Sequence, residues 1–337
     1  MLGVLSRAIR EGLLKRIGFH GARPAARAPT GRFLEAVHAD AAGMRKYKAY
    51  LPKLGQGTAR PLVVMLHGCR QSPDDFAAGT RMNELADELG FIVAYPQQAR
   101  TANPARCWNW FRATDQGRGS GEPALIAGIT REVIERHGAD PRRVYVAGLS
   151  AGGAMAAIVA HAYPELYAAV GIHSGPSYAG ASDLSSALAT MRGEPVVPRD
   201  DITPPRPVPT IVFHGDDDAV VHASNAAQSI AHVVPADDAP PVEVENGEAR
   251  SLRYTRTVQA DASGRPLTEH WVIHGAGHAW SGGSMEGSFA DPRGPDASRE
   301  MLRFFLAAGA QPERQSTASP SPAREVRKRF AWWPGSS

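Results

Sequence analysis

In Val144–Gly152, VYVAGLSAG, an apolar run leads directly into the pattern G-x-S-x-G. The apolar run predicts a buried strand, and the small residues of Gly153–Ala160 (GAMAAIVA) predict a helix directly behind it. A tight turn between strand and helix presents Ser150 at its apex, where the hydroxyl is placed to act as a nucleophile. Because so short a pattern often arises by chance, the turn alone leaves open a Gly/Ser turn without a catalytic role.

A serine nucleophile needs a general base and an acid that orients the base, and these can follow in the chain order Ser, Asp, His. The acid is expected after the apolar strand Pro209–Phe213, where three aspartates stand in a row: Asp216, Asp217 and Asp218. We predict Asp218, because it adjoins an apolar run that would pull it inward. Turn and helix-cap roles suit Asp216 and Asp217. Spacing alone does not decide among the three.

The predicted base is His278, which follows the alternating segment Glu269–His274 in a glycine-rich turn. A histidine in such a turn can reach over the serine, with Asp218 accepting a hydrogen bond from its other ring nitrogen. His274 is the competing candidate, but its position at the end of a strand favours packing or local hydrogen bonding. The chain has 12 histidines, and any one of them is more often structural than catalytic.

An oxyanion hole is predicted in the loop behind the early apolar strand Pro61–Leu66. That loop begins with His67–Gln71, HGCRQ. A backbone N–H from this loop, paired with the N–H of the residue after the nucleophile, would stabilise a tetrahedral oxyanion. We assign these donors to the backbone amides of Cys69 and Ala151, with Arg70 as the neighbouring alternative.

Five motifs together resemble one family, the poly(3-hydroxybutyrate) depolymerase-type esterases. These belong with the feruloyl and acetylxylan esterases to the α/β-hydrolase superfamily. The motifs are His67–Gln71, Cys107–Phe111, Gly148–Gly153, His214–Asp218 and Gly277–Gly283. The resemblance runs from about Lys46 to about Leu306, which is most of the chain.

The resemblance implies an α/β fold with a mostly parallel central sheet and helices on both faces. It implies Ser150 as nucleophile, His278 as base and Asp218 as acid, since the family acid lies four positions after the histidine of the motif beginning at His214. The implied reaction is hydrolysis of short-chain 3-hydroxybutyrate esters through an acyl-enzyme, without a metal or an organic cofactor. Feruloyl or acetylxylan esters are the alternative substrates. A protein that only grips a polymer surface is the non-enzymatic alternative, against which the intact set of three residues argues.

Four large or polar side chains in the motif loops are candidates for substrate binding. Trp108, Trp110 and Trp280 could form an apolar wall for an acyl or polymer chain, but tryptophan is also common in protein cores. We favour the site for Trp280, which lies two residues after His278, and give both interpretations equal weight for the other two. Asn109 is a candidate to bind a substrate carbonyl.

The two cysteines of the chain, Cys69 and Cys107, both lie in these motifs. A disulfide between them would join the oxyanion loop, which begins at His67–Gln71, to the tryptophan-rich loop, which contains Cys107–Phe111. The alternative is two buried thiols. A disulfide would indicate an oxidising compartment, outside the cell or in the periplasm. The residues after Met1 do not form the apolar region of a signal peptide, so a cytoplasmic location stays the alternative.

Composition and charge limit the remaining classes of function. With 43% hydrophobic residues in 337, the chain can bury a large core, and no apolar run is long enough for a transmembrane helix. The net charge of +3 gives no reason to expect a nucleic-acid partner, because the basic excess lies at the two ends, where solvated termini are common. We predict an amphipathic and linker segment over 1–43, a catalytic domain over 44–310 and a disordered basic tail over 311–337. The oligomeric state stays open.

Overall fold

A ten-stranded sheet organises the residues that the computed structural model describes, which are 28–54, 57–177, 181–194, 207–234 and 242–309. The strands are β1 (Arg32–Asp40), β2 (Gly43–Leu51), β3 (Arg60–Leu66), β4 (Ile92–Pro96), β5 (Ala139–Leu149), β6 (Ala169–His173), β7 (Thr210–Gly215), β8 (Val242–Ala249), β9 (Leu252–Ala260) and β10 (Pro266–Ile273). Two short segments pair separately: β11 (Trp280–Ser281) and β12 (Ala290–Asp291). The helices are α1 (Pro73–Thr80), α2 (Met82–Leu89), α3 (Gly121–His137), α4 (Ala151–Ala162), α5 (Leu184–Met191), α6 (Ser224–Ala231) and α7 (Ala297–Gly309), with a 3₁₀ turn at Ala113–Asp115.

The strand order is β1-β2-β4-β3-β5-β6-β7-β10-β9-β8. The six central strands, from β4 to β10 in this order, run parallel, and an antiparallel pair flanks them on each side. Parallel strands are covered on both faces, which explains why they read as continuous apolar runs. Leu62–Leu66 in β3, for example, is completely buried. The mostly parallel sheet expected from the sequence is confirmed.

Two apolar layers cover the faces of this sheet. On one face, Leu62, Val64 and Leu66 of β3 pack in the same cluster as residues of α3 and α4. On the other face, Val63 and Met65 pack in a cluster with residues of α1, α2 and α7. The alternation along one strand therefore supplies both layers, as the period of two in a strand requires.

Local sequence signals explain where helix α5 begins and where helix α3 ends. Asp183 and Ser186 form a reciprocal capping box at the start of α5. Gly138 takes a left-handed conformation, with φ 63°, immediately after α3.

The N-terminal boundary of the predicted domain needs a correction. Arg32–Asp40, within the segment predicted as a linker, forms β1 and pairs with the whole of β2, from Arg32 opposite Leu51 to Asp40 opposite Gly43. β2 is therefore an internal strand of the sheet, between β1 and β4. β1 has no fully buried side chain and no continuous apolar run, so only its pairing with β2 reveals it as a strand.

Residues 1–27 of the predicted amphipathic and linker segment, and the predicted basic tail over 311–337, lie outside the described residues. Within the described residues, no helix is long and apolar enough to cross a membrane.

A buried ionic cluster joins β9 and β10 to α7. The carboxylate of Glu269 is completely buried and accepts hydrogen bonds from Arg256, at 3.0 Å on each oxygen, from Arg303 and from the indole N–H of Trp271, at 2.7 Å. Burial alone would raise the pKa of Glu269, but the charges of Arg303 and Arg256 and these hydrogen bonds hold it below its ordinary value. The cluster carries a buried charge that is fully compensated.

Replacing Glu269 by alanine is expected to lower the free energy of unfolding by about 3–5 kcal/mol, because it leaves buried guanidinium charge without its counterion. The measurement is guanidinium-induced unfolding followed by circular dichroism. Glu243→Ala, at an exposed position of β8, is the control and should change stability by less than about 0.5 kcal/mol. Equal effects of the two substitutions would contradict the role of the cluster.

Candidate active site

Ser150 lies in the turn between β5 and α4 with φ 56° and ψ −124°, a conformation that is strained for a residue with a side chain. The flanking glycines are required by contact. A Cβ atom on Gly148 would lie 2.2 Å from the carbonyl oxygen of Gly152, and a Cβ atom on Gly152 would lie 2.1 Å from that of Leu66. Both distances are far below any real contact, so the G-x-S-x-G pattern follows from the close approach of helix and strands.

The predicted acid and base are in contact. Nδ1 of His278 lies 2.8 Å from Oδ2 of Asp218, whose side chain is completely buried. The other oxygen of Asp218 accepts hydrogen bonds from the backbone N–H groups of Val220 and Val221, each at 2.9 Å. The carboxylate is thus fixed in orientation, and it fixes the ring of His278 in turn.

A second histidine supports the carboxylate. Nε2 of His214 lies 3.4 Å from Oδ2 of Asp218 and donates a hydrogen bond to the carbonyl oxygen of Val221 at 2.8 Å. Burial alone would raise the pKa of Asp218, but the hydrogen bonds from His214 and His278 outweigh burial and hold the pKa well below its ordinary range. Asp218 is therefore ionised at neutral pH, as the partner of a general base must be.

The other two aspartates have local roles. Asp216 accepts hydrogen bonds from the ring of His274 and from the N–H of Gly275, both at 2.7 Å. The backbone N–H of Asp217 donates to the carbonyl oxygen of Ala276 at 3.1 Å. Asp216 and His274 therefore form a separate pair in the turn after β10, as their predicted turn and local bonding roles suggest.

Ser150 and His278, the predicted nucleophile and base, are connected through a third residue. Within the described residues, no hydrogen bond joins the hydroxyl of Ser150 to His278. Instead, the N–H of Ser150 donates to the carbonyl oxygen of His173 at 2.9 Å, and the ring of His173 accepts from the N–H of Ser281, in the segment that follows His278, also at 2.9 Å. Hydrogen bonds between catalytic groups are often long in a free enzyme and tighten when substrate binds.

The loop after β3 leaves the predicted amide donors available. The N–H of Arg70 donates to the carbonyl oxygen of Ala105 at 2.7 Å, and the N–H of Gly68 donates to Oε1 of Gln71 at 2.8 Å. The N–H groups of Cys69 and Ala151 donate to no other residue in the described part of the chain. Arg70, the neighbouring alternative, is therefore occupied, whereas Cys69 and Ala151 retain free donors.

The loop is clamped by covalent and polar contacts. A disulfide joins Cys69 to Cys107, as the sequence suggested. The indole N–H of Trp108 donates to the carbonyl oxygen of His67 at 3.0 Å, and a guanidinium nitrogen of Arg106 donates to that of Gln71 at 3.2 Å. The oxyanion loop is thus held to the tryptophan-rich loop at several points.

The four side chains predicted to bind substrate are buried in this structure. Trp108 and Trp280 are 0% and 1% exposed, and Asn109 and Trp110 are 2% and 4% exposed. Trp280 donates its indole N–H to the hydroxyl of Ser298 at 3.0 Å. These four side chains therefore contact other buried groups of the protein. Direct contact with a substrate would require them to become exposed.

Sequence reasoning missed a buried polar network behind the oxyanion loop. Glu122, at the start of α3, accepts hydrogen bonds from both the backbone N–H and the side chain of Asn109, each at 2.7 Å, and from the side chain of Gln98. The backbone N–H of Gln98 in turn donates to Nε2 of His67 at 3.1 Å. An acidic residue in the first turn of a helix is ordinarily exposed, so no signal in the sequence predicts this network.

His67 is neutral in this arrangement. Burial is the largest effect and lowers the pKa of His67 to about 4. Because Nε2 accepts a hydrogen bond from Gln98, the proton lies on Nδ1, which donates to the carbonyl oxygen of Gly68 at 2.8 Å.

Similarity to known proteins extends over most of the chain. The model of the family described as "Esterase PHB depolymerase" matches residues 45–238. Poly(3-hydroxyalkanoate) depolymerase C of Paucimonas lemoignei is 32% identical over 242 residues, which cover 66% of this chain and 56% of that protein. Feruloyl esterase B of Neurospora crassa is 35% identical over 131 residues, which cover 39% of this chain and 44% of that protein. The chain thus spans about half the length of these relatives.

Solved structures support the fold. The acetyl xylan esterase from Aspergillus awamori superposes with a TM-score of 0.61 at 20% identity, covering 82% of this chain and 100% of that chain. At this identity the likeness concerns the fold alone. Since the family model matches more than half of the sequence, the chain belongs to the esterase PHB depolymerase family, a family of carboxylic ester hydrolases with the α/β-hydrolase fold.

Proposed function

We propose that the protein is a serine esterase in which Ser150 is the nucleophile, His278 the general base and Asp218 the orienting acid. The observation that carries the proposal is the 2.8 Å hydrogen bond between Nδ1 of His278 and the buried, ionised Asp218, at the same edge of the sheet as the strained turn of Ser150. A carboxylate on Nδ1 keeps the proton there and leaves Nε2 free to accept one.

The reaction follows from these positions. The hydroxyl oxygen of Ser150 attacks the ester carbonyl carbon while Nε2 of His278 takes the hydroxyl proton. The N–H groups of Cys69 and Ala151 stabilise the tetrahedral oxyanion. The alcohol leaves with the proton from His278, and a water molecule activated by His278 then releases the acid from the acyl-enzyme.

Short-chain 3-hydroxybutyrate esters, as oligomers or polymer, are the substrates we propose. The match to the Paucimonas depolymerase supports them, since it covers more of this chain than the match to the Neurospora feruloyl esterase. Feruloyl and acetylxylan esters are the second candidate, supported by the match to the Neurospora feruloyl esterase. Both candidates use the same three residues.

We place the protein in an oxidising compartment, outside the cell or in the periplasm. The disulfide between Cys69 and Cys107 supports this location, since disulfides persist mainly in such compartments.

Hydrolysis rates on a substrate panel test the function. We expect wild-type protein to prefer 3-hydroxybutyrate oligomers over methyl ferulate, acetylated xylan and butyryl nitrophenyl ester. Ser150→Ala should lower every rate by at least about 1,000-fold, because the acyl-enzyme cannot form. A preference for ferulate or acetyl esters would keep the mechanism and change the substrate class. Full activity of the Ser150→Ala variant would overturn the role of Ser150 as nucleophile, and no hydrolysis of any of these esters by the wild-type protein would favour a polymer-binding role.

The choice of acid is tested by a matched pair of substitutions. Asp218→Asn should lower kcat on the order of 1,000- to 10,000-fold, because the neutral amide no longer holds His278 in the required tautomer. Asp217→Asn, one residue away in an exposed turn, should leave kcat within about 3-fold, as is usual for a surface position. Similar losses of kcat in the two variants would disprove the assignment of Asp218.

The disulfide is expected to serve both stability and catalysis. Replacing Cys69 and Cys107 together by serine should lower the free energy of unfolding by roughly 3–4 kcal/mol, since the closed loop spans 38 residues. It should also lower kcat by about 10- to 100-fold, because the N–H of Cys69 is no longer held in place.

Glu269→Ala is the control for this experiment, because it destabilises a cluster away from the site. At temperatures where both variants are folded, it should keep the wild-type kcat. If the variant with serine at positions 69 and 107 also keeps the wild-type kcat, the disulfide has no part in holding the N–H of residue 69 in place.

A further inference from the structure

His173 occupies a central position that the proposed mechanism does not use. It is the last residue of β6, between β5, which leads to Ser150, and β7, which leads to Asp218. The residue is only 1% exposed. Its backbone carbonyl oxygen accepts the hydrogen bond from the N–H of Ser150, at 2.9 Å. The strained backbone of the nucleophile is therefore fixed directly to His173.

The ring of His173 contacts the other half of the site. Its Nε2 accepts a hydrogen bond from the backbone N–H of Ser281 at 2.9 Å. The ring stacks on Phe213, with centroids 5.8 Å apart and an interplanar angle of 11°, and on Trp280, at 5.0 Å and 26°. Trp280 and Ser281 immediately follow the turn that carries His278.

We propose that His173 is a positioning residue, which holds the backbone of the nucleophile and the loop of the general base in one fixed geometry. The proposal rests on the proposed roles of Ser150 and His278. His173 does not touch the reacting atoms. It acts through two hydrogen bonds, one from Ser150 to its backbone carbonyl oxygen and one from Ser281 to its ring.

The hydrogen bond to Ser281 is the contact of the His173 side chain that requires an acceptor atom. A phenylalanine could also stack between Phe213 and Trp280, but it has no acceptor for the N–H of Ser281. The turn before this N–H is rich in glycine, with Gly275 in a left-handed conformation at φ 75°, so the turn itself constrains its backbone weakly. An acceptor in the core therefore helps to determine where His278 is held.

The acceptor role requires a neutral ring with its proton on Nδ1, which lies 3.3 Å from the hydroxyl of Ser174. Burial is the main reason why the pKa of His173 is lowered to about 3, and the neighbouring histidines His214 and His278 lower it further, against the opposing effect of Asp218. The ring consequently stays neutral throughout the range in which an esterase with a histidine base works.

Two substitutions of His173 distinguish the contribution of its hydrogen-bond acceptor from that of its aromatic ring. His173→Phe keeps an aromatic ring but removes the acceptor, and we expect kcat to fall about 10- to 100-fold with KM within about 3-fold, as for misplaced catalytic groups. His173→Gln restores an acceptor through its amide oxygen and should recover kcat to within about 5-fold of wild type. A fluorophosphonate probe that reacts with Ser150 should show the same order of rates without involving substrate binding.

His270→Phe is the matched control. His270 is a largely buried histidine of β10 whose Nε2 has no hydrogen-bond partner in the described part of the chain, so its replacement should leave kcat unchanged. If His173→Phe is folded and retains wild-type kcat, or if KM alone changes, the positioning role is wrong.

A measurement on the wild-type protein avoids dependence on folded variants. ¹⁵N NMR of the histidine rings should show Nε2 of His173 unprotonated at pH 5 and pH 7, and a protonated Nε2 at pH 7 would overturn the proposal. Failure of the proposed function is recognised separately, because Ser150→Ala would then stay active whatever the state of His173.

Discussion

The contact on which the site depends is the approach of α4 to the end of β3. A Cβ atom at Gly152 would lie 2.1 Å from the carbonyl oxygen of Leu66 and 2.6 Å from that of His67, so only glycine allows it. Leu66 and His67 lead into the loop that contains Cys69. The same contact that holds Ser150 in its strained turn therefore brings the free N–H groups of Ala151 and Cys69 to one end of the sheet. The proposed nucleophile and the proposed oxyanion donors therefore depend on one packing contact, the close approach at Gly152.

Burial has two different outcomes for the pKa values of the buried acidic side chains. Asp218 and Glu269 are buried with enough donors and positive charge to keep their pKa values below the ordinary range. Glu122 is buried too, but desolvation dominates and raises its pKa despite the hydrogen bonds that it accepts. Asp218 can therefore serve as the charged partner of a base, whereas Glu122 serves to anchor the segment around Asn109.

The aromatic residues near the site fix the loops in place. Trp108 fixes the start of the oxyanion loop, and Trp280 fixes the segment after His278 through Ser298 and through its stacking on His173. A tryptophan offers a large apolar surface and one N–H donor, so a fully buried one specifies the path of a neighbouring backbone. This explains how residues found in motif loops can be essential to the geometry without facing the substrate.

The amino-acid sequence was enough to predict the parallel sheet, the tight turn of Ser150 and, with the family motifs, the pairing of Asp218 with His278. These features have local signals: continuous apolar runs, glycines at a required spacing, and polar residues directly after strands. The three-dimensional structure was needed to show that β1 and the β8–β9 pair extend the sheet, that the tryptophans are buried, and which groups His214, His173 and Glu122 contact. Such roles depend on partners that lie far away in the chain, as with His173 and Ser281, which are 108 positions apart. The identity of a residue sets the contacts it is able to make, and folding decides which of them are made.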